Sequence, residues 1–310
     1  MLEANLRDCF CGESEARSSK VAERHFGVGE EFEYLECANC GSIRIATVPA
    51  DLSRYYPPDY YSLRSTLSWR DRLQPIALAL SLMLPFVRIS RTHFPLPSAV
   101  KDIGFSRRAR ILDVGSGAHG MAAQLRAVGF RHAMGLDPFV VADIKDKHGI
   151  AVKKSFLSEM TEEWDQIVFN HSLEHVPDPV AELSKAKSLL SPGGRIVVRI
   201  PVVSWAYSEF GPCWFQLDSP RHLFVPTERG FRILAERVGL RVTKVLYDSI
   251  DAQFWVSEAY RRNESFVTAE ATFWNRYSRS DRKRMQRRAD DLNRKGEGDQ
   301  AVFFCSVESK

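Results

Sequence analysis

The residues best suited to chemistry begin with Ile111-Leu-Asp-Val-Gly-Ser-Gly-Ala-His-Gly120, where an apolar run ends in an acid and Gly115, Gly117 and Gly120 follow within six residues. Glycines so spaced let a strand turn sharply into a helix while a ligand touches the backbone. Asp137 closes a second apolar run, His132–Asp137, about 20 residues further on, the usual distance for an acid that grips ribose hydroxyls. A turn that binds nothing, or one that binds a dinucleotide, would share these glycines. Asp113 argues otherwise, because a carboxylate beside a pyrophosphate is repelled, whereas beside a sulfonium or ammonium it is welcome. The residues therefore favour a cationic ligand that carries a ribose.

With three further stretches the chain resembles the class I S-adenosylmethionine-dependent methyltransferases. These are Gly135-Leu-Asp-Pro138, Asp165-Gln-Ile-Val-Phe-Asn-His-Ser-Leu-Glu-His-Val-Pro-Asp-Pro179 and Leu189-Leu-Ser-Pro-Gly-Gly-Arg-Ile-Val-Val-Arg-Ile-Pro201. The resemblance implies that Gly115 and Gly117 pack against the cofactor's amino-acid moiety and that Asp137 holds its ribose. It also implies that Ser155–Leu157 lie beside the adenine, although Ser155 stands where the family often has an acid. The expected cofactor set is Asp113, Gly115, Ser116, Gly117, Gly120, Asp137, Pro138, Phe156, Asn170 and His171. Asn170 and His171 enter it as the carboxyl end of a strand, where ligands of open α/β sheets bind. His171-Ser-Leu-Glu-His175 matches a zinc-protease pattern, but that chemistry needs both histidines on one helical face, and His171 ends a strand. Glu174 and His175 are expected to tie this turn to the next helix.

Four of the six cysteines, Cys9, Cys11, Cys37 and Cys40, crowd the first 40 residues. Cys37-Ala-Asn-Cys-Gly41 is a metal knuckle, and Cys9-Phe-Cys-Gly12 is a partner pair one residue shorter than usual. Two disulfides are the alternative, but the polar, charged opening residues show no export signal and predict a cytoplasmic protein with reduced thiols. Structural Zn2+ held by the four cysteines is the expectation, with no open coordination position for catalysis. Phe32–Cys37 and Ile43–Val48 read as strands around the knuckle, a zinc-ribbon-like module. A small module of this kind ahead of a methyltransferase domain resembles the sugar C-methyltransferases and their relatives in glycan gene clusters, in which it helps shape the substrate pocket.

In Leu217-Asp-Ser-Pro-Arg-His-Leu-Phe-Val-Pro226, His222 is the candidate base, since histidine titrates near neutral pH. Its position resembles that of a Tyr-His-Glu-His cluster in the sugar C-methyltransferases, where this chain has Ser-Pro-Arg-His. A structural histidine is the other reading. Arg221 is expected to meet an anionic part of the substrate, such as a nucleotide diphosphate. Trp205, Tyr207 and Trp214 could stack on a sugar or quinoid ring, or form the core of a lid. Cys213 lies among them with nothing nearby to activate its thiol.

Positioning these residues requires an α/β scaffold. Short apolar runs at Ala109–Ser116, His132–Asp137, Ala151–Phe156, Ile167–His171 and Arg195–Ile200 suit buried parallel strands. Arg241–Tyr247 and Ala301–Val307 supply two more, and Pro179–Leu190 and Thr227–Val238 carry helical spacing. The resemblance implies a Rossmann-like seven-stranded sheet of order 3-2-1-4-5-7-6 with the seventh strand antiparallel. The expected organisation is a zinc-ribbon-like module over 1–61, a helical connector over 62–104 and the methyltransferase domain over 105–310. Within that domain, 202–226 and 248–300 are long enough to cover an active site.

Residues 67–91 form an apolar stretch too short to span a bilayer and interrupted by Pro75 and Pro85. It reads as a packed helix or as an interfacial helix resting on anionic lipid, its flanking arginines at headgroup level. The net charge of +4 is mild and does not suggest a nucleic-acid partner. Most of the excess lies in Arg276–Lys295, which carries nine basic residues against three acids and reads as a helix opened by Ser280 and closed by Gly296. Its cations form either a solvated face or an anion-binding surface. The whole predicts methyl transfer to a small or glycan-linked acceptor, a sugar or nucleotide-sugar first. O-methylation of a quinone or lipid-like acceptor at a membrane surface, and a non-catalytic binding or assembly module, are the alternatives.

Overall fold

The structure is a computed structural model that describes residues 9–56, 106–118 and 120–308. The expected connector over 62–104 and the apolar stretch over 67–91 therefore lie outside the described residues. No helix among the described residues is long and apolar enough to cross a membrane.

The N-terminal part forms β1 (Ala16–Ala22), β2 (Glu31–Cys37) and β3 (Ile43–Ile45). The main sheet follows with β4 (Ile111–Val114), β5 (Ala133–Leu136), β6 (Ile144–Asp146), β7 (Gly149–Lys153), β8 (Trp164–Asn170) and β9 (Leu190–Pro201). The chain continues through β10 (Phe224–Val225), β11 (Leu240–Tyr247) and β12 (Gln300–Val307). The main sheet is eight-stranded, ordered β11-β12-β9-β8-β4-β5-β7-β6, one strand more than the expected seven. The extra strand, β6, pairs antiparallel with β7 through the tight turn at Gly149, whose φ is +100°. The pairings β7–β5, β5–β4, β4–β8 and β8–β9 are parallel, and β12 runs antiparallel between β9 and β11, so the sheet is mixed.

Alternation along the strands divides the core between the two faces of this sheet. Ile196 and Val198 of β9 join Leu112, Phe169, Leu183 and Phe231 on one face. Val197, between them, joins Ile111, Leu125 and Val168 on the other. The helices that cover these faces are α1 (Met121–Ala127), α2 (Pro179–Ser188) and α4 (Glu228–Arg237), while α3 (Trp205–Phe210) opens the first long insertion. Thr227 caps α4 by accepting from the Gly230 N–H. Because β4 sits between β5 and β8, the chain leaves it in opposite directions on the two sides, which opens a crevice at the carboxyl ends of the strands.

The 248–300 insertion folds as α5 (Ala252–Arg261), α6 (Phe266–Arg276) and α7 (Arg279–Lys295). Helix α7 opens at Ser278 rather than Ser280. Asp281 lies three residues beyond Ser278 and closes a reciprocal capping box with it, an advantage Ser280 lacks. Gly296 terminates the helix at φ +74°.

The N-terminal strands do not stand alone. They form a four-stranded sheet in the order β1-β2-β3-β10, so its last strand comes from the 202–226 insertion. Tyr34, Ile43 and Ile45 share one buried core with Ala206, Trp214, Leu223 and Val225. Three short strands cannot bury a core by themselves, and the insertion supplies the missing side. Sequence spacing found β2 and β3 but not β1, whose polar residues hide its pairing with β2.

Candidate active site

The glycine turn has the geometry its composition predicts. Gly115 and Gly117 take φ +72° and +61°, in the left-handed region. A Cβ on Gly115 would stand 2.4 Å from the Ser172 Cβ, and one on Gly120 would stand 2.2 Å from the Ser116 carbonyl oxygen. The turn is thus pressed between its own backbone and the end of β8. Ser116 packs its hydroxyl toward Gly135, where a Cβ would lie 2.4 Å from it. Asp113 is buried and its Oδ2 accepts from the Ala122 N–H at 3.1 Å, so it ties β4 to the first turn of α1. Burial, only partly offset by the helix N–H groups, pushes its carboxyl up to about 7.

Asp137 Oδ2 accepts from the Gly117 N–H at 2.8 Å and Oδ1 from the Phe139 N–H at 2.8 Å. Each oxygen keeps a second lone pair, as a ribose hydroxyl requires. Pro138 continues this turn, and Phe139 and Phe156 stand exposed beside it, at 76 % and 56 %. The acid absent at Ser155 enters from four residues on: Glu159 Oε2 accepts from the Ser155 hydroxyl at 2.6 Å and from the Phe156 N–H at 2.9 Å. Sequence spacing gave no hint of this, because a short 3-10 turn over Leu157–Glu159 folds the acid back. Asn170 ends β8, its Oδ1 accepting from Arg199 at 3.4 Å, and His171 follows with φ +52°.

From His171 the site continues into a cluster that joins the strand-end turn to the 202–226 insertion. Glu174 is fully buried, with Oε1 3.2 Å from His171 Nδ1 and Oε2 without a partner among the described residues. Its backbone carbonyl accepts from the Leu223 N–H at 2.8 Å. His222 Nδ1 lies 2.7 Å from the Gln216 carbonyl. A carbonyl can only accept, so Nδ1 carries the proton and Nε2 of neutral His222 is bare. That Nε2 is 3.9 Å from both Glu174 Oε1 and Asp218 Oδ2. His175 packs edge-on against His222, ring centres 4.8 Å apart, with its Nδ1 2.9 Å from the Arg221 carbonyl. Burial works against charge on Glu174, yet the hydrogen bond from His171 and the neighbouring imidazoles hold it down to about 2. Burial and the nearby His222 lower the pKa of His175 below that of a free histidine. Glu174 and His175 are therefore part of the cluster, beyond the turn-tying role expected of them.

Two expectations are corrected. Arg221 does not face a ligand: it is fully buried, bonding Asp218 through Nη2 at 2.7 Å, Glu23 at 3.2 Å and the Tyr55 carbonyl at 3.1 Å. A guanidinium enclosed by two carboxylates is a structural cation. Trp214 is likewise buried, at 1 % exposure, and donates from Nε1 to Asp299 at 3.0 Å. It belongs to the core beneath the insertion, since its one polar atom already has a buried acceptor. Tyr207 packs against Trp214 and its hydroxyl donates to Glu36 at 3.3 Å, so it binds the insertion to β2. Trp205 packs on Phe254 and lies on a surface recess with Phe210 and Arg288.

The N-terminal cysteines converge. Cys9 and Cys40 Sγ are 3.5 Å apart, as are Cys11 and Cys37, and the four sulfurs lie within 4.8 Å of one another. A tetrahedral zinc–thiolate site has sulfurs about 3.8 Å apart, given Zn–S bonds of about 2.3 Å, so the set fits that ion. All six cysteines are free thiols. The cluster seats on α4: Thr227 Oγ1 donates to the Cys40 carbonyl at 2.7 Å, and its N–H donates to Ser42 at 3.2 Å. Five residues before Thr227 stands His222, whose carbonyl accepts from the buried Tyr34 hydroxyl at 2.9 Å.

Three comparisons bear on this arrangement. The ubiquinone biosynthesis O-methyltransferases of Xylella fastidiosa strains M23 and 9a5c are each 33 % identical over 101 residues, 29 % of this chain and 41 % of theirs. The chain thus spans less than half the length of those relatives. Among solved structures, Burkholderia thailandensis 1,6-didemethyltoxoflavin-N1-methyltransferase, bound to 1,6-didemethyltoxoflavin and S-adenosylhomocysteine, is similar at 14 % identity and TM-score 0.43, over 88 % of this chain and 97 % of that one. Haemonchus contortus phosphoethanolamine N-methyltransferase 2, in complex with phosphomonomethylethanolamine and S-adenosylhomocysteine, is similar at 17 % identity and TM-score 0.41, over 80 % and 62 %. The family model described as a methyltransferase domain matches residues 90–245, just over half of the chain, a span that begins before the glycine turn and ends within β11. The chain belongs to this methyltransferase-domain family.

Proposed function

We propose that the chain transfers a methyl group from S-adenosylmethionine to a small or glycan-linked acceptor, a sugar or nucleotide-sugar first, with His222 as the base. The glycine turn and Asp137 fit the cofactor, because Gly115 and Gly117 hold the left-handed backbone of a tight turn, Gly120 admits no Cβ beside the Ser116 carbonyl, and Asp137 retains acceptor capacity. Gly115, Gly117, Asp137, Asn170 and His171 would hold it. When bound, S-adenosylmethionine supplies a methyl group on a sulfonium, a good leaving arrangement for in-line displacement.

The observation that carries the reading is the 2.7 Å contact between His222 Nδ1 and the Gln216 carbonyl, which assigns the proton to Nδ1. With Nδ1–H committed to the Gln216 carbonyl, bare Nε2 can take the acceptor's proton as the new bond to the methyl carbon forms. Glu174, ionised and 3.9 Å away, stabilises the imidazolium that results. The four cysteines would hold Zn2+ in a structural role, keeping the β1–β3 layer seated against the strand that follows His222. The test is turnover of His222→Ala against nucleotide-sugars, glycans and phenolic acceptors, with cofactor binding followed by calorimetry. Retained turnover with bound cofactor removes the base role. No heat with S-adenosylmethionine for folded, zinc-loaded protein removes the enzyme reading and leaves a binding or assembly module.

A second reading is O-methylation of a quinone or lipid-like acceptor, favoured by the 33 % identity to the ubiquinone biosynthesis enzymes. The same acceptor panel separates the two. Peripheral membrane contact through 67–91 goes with this second reading, and flotation with liposomes tests it.

A further inference from the structure

Helix α7 sets out a row of cations along one face. Ser280, Lys283, Arg284, Arg287, Arg288 and Asp291 line one recess of about 460 Å3. Their spacing of three and four puts them on one helical face. Lys283 with Arg287, and Arg284 with Arg288, are like-charge pairs four residues apart, and each such pair works against the helix. Ala289 and Leu292 are the buried residues of α7, whereas Lys283 and Arg287 are exposed and add nothing to its packing. Arg284 is bonded to Asp281 at 2.7 Å, while Lys283 and Arg287 have no polar partner among the described residues.

A second recess, of about 270 Å3, adjoins the first and shares Arg284 and Arg288 with it. Its floor is aromatic: Trp205, Phe210 and Phe254, with Met285 beside them. The Arg288 guanidinium lies 4.4 Å from the Trp205 ring centre and 5.1 Å from that of Phe254. On the opposite wall Glu209 and Glu258 share the single guanidinium of Arg261, each at 3.4 Å, so only half of their charge is offset.

We propose that the two joined recesses bind an organic diphosphate, the anionic group on Lys283, Arg284 and Arg287 and the organic ring against Trp205 and the Arg288 guanidinium stacked on it. Lysine and arginine donors suit phosphate oxygens, and an aromatic floor gives a ring the apolar contact that inorganic phosphate lacks. This site stands on residues outside the His222 cluster, so it does not depend on the methyl-transfer reading. A free nucleotide supplies such chemistry, whereas a phosphatidylglycerol headgroup, with one phosphate and no ring, does not.

The experiment titrates the full chain by calorimetry with uridine diphosphate and with inorganic pyrophosphate, alongside co-sedimentation with phosphatidylglycerol vesicles. Wild type is compared with the Lys283→Gln/Arg287→Gln double variant, whose changes are at exposed positions and leave circular dichroism unchanged. Uridine diphosphate is expected to bind more tightly than pyrophosphate. The double variant is expected to weaken both about tenfold or more, because it removes two charge-assisted hydrogen-bond donors to the anion. Equal affinity in wild type and variant overturns the proposal, as does vesicle binding with no uridine diphosphate binding. S-adenosylmethionine is titrated on the same samples: its failure to bind while uridine diphosphate binds defeats the methyl-transfer reading and leaves this one standing.

Discussion

Replacing Arg221 by methionine tests whether this buried cation builds the site or binds substrate. Methionine keeps the length and apolar bulk but leaves Glu23 and Asp218 facing each other with one positive charge fewer. Asp218 is 13 % exposed and has His25 at 3.5 Å, so it can recover part of the loss. Glu23 is fully buried and keeps the N–H groups of Phe26 and Val28, each at 2.9 Å. Breaking a buried pair by removing one partner costs about 3–5 kcal/mol. The two remaining donors on Glu23 put the expectation at the lower end, about 3 kcal/mol. In a chain of this size that lowers the melting temperature by about 5 °C. Urea unfolding followed by far-UV circular dichroism at neutral pH measures it. Adding Glu23→Gln removes the stranded charge, so the double variant should recover about 1–2 kcal/mol, a coupling that contacting residues show. If Arg221→Met unfolds within about 0.5 kcal/mol of wild type while turnover collapses, the structural assignment is wrong and Arg221 is a substrate contact.

Three further outcomes follow from the same geometry. Asp113 has a folded pKa raised to about 7 against about 3.9 for a free side chain, so the folded state binds the extra proton and stability falls as pH rises between those values. Asp113→Asn should flatten that fall, giving urea midpoints at pH 5 and pH 8 closer together than in wild type, while weakening cofactor binding; an unchanged pH slope refutes it. Gly115→Ala meets Ser172 and forces a left-handed φ on alanine, which together cost about 2–5 kcal/mol, and calorimetry should show cofactor binding lost. Chelating the metal from the four cysteines should lower the melting temperature and reduce turnover more than cofactor affinity, because the β3–β10 pairing adjoins His222 while the glycine turn lies on the main sheet. Metal-free protein with full turnover would defeat that coupling.

Much of the glycine turn was legible in the chain. Glycine and acid positions answer to local backbone needs, so Gly115, Gly117, Gly120 and Asp137 could be read from spacing alone. The strands of the main sheet were legible for the same reason: a strand buried on both faces is a continuous apolar run. The 202–226 insertion was read less well. Arg221 and Trp214 have the composition of ligand contacts, and only their burial beside Glu23, Asp218 and Asp299 shows that they hold the fold together. No local signal distinguishes a guanidinium that meets a substrate from one that meets two distant carboxylates.

The sequence by itself determined the glycine turn, the acid at Asp137, the cysteine pairs and the order of strands and helices along the chain, since each depends on residues within a few positions of one another. Tertiary structure alone decided that β10 completes the N-terminal sheet and that Glu174, His175 and His222 meet. Those contacts join segments up to 188 residues apart, as when Tyr34 reaches the His222 carbonyl. Burial makes them strong, and burial is a property of the folded whole that no short window of sequence contains.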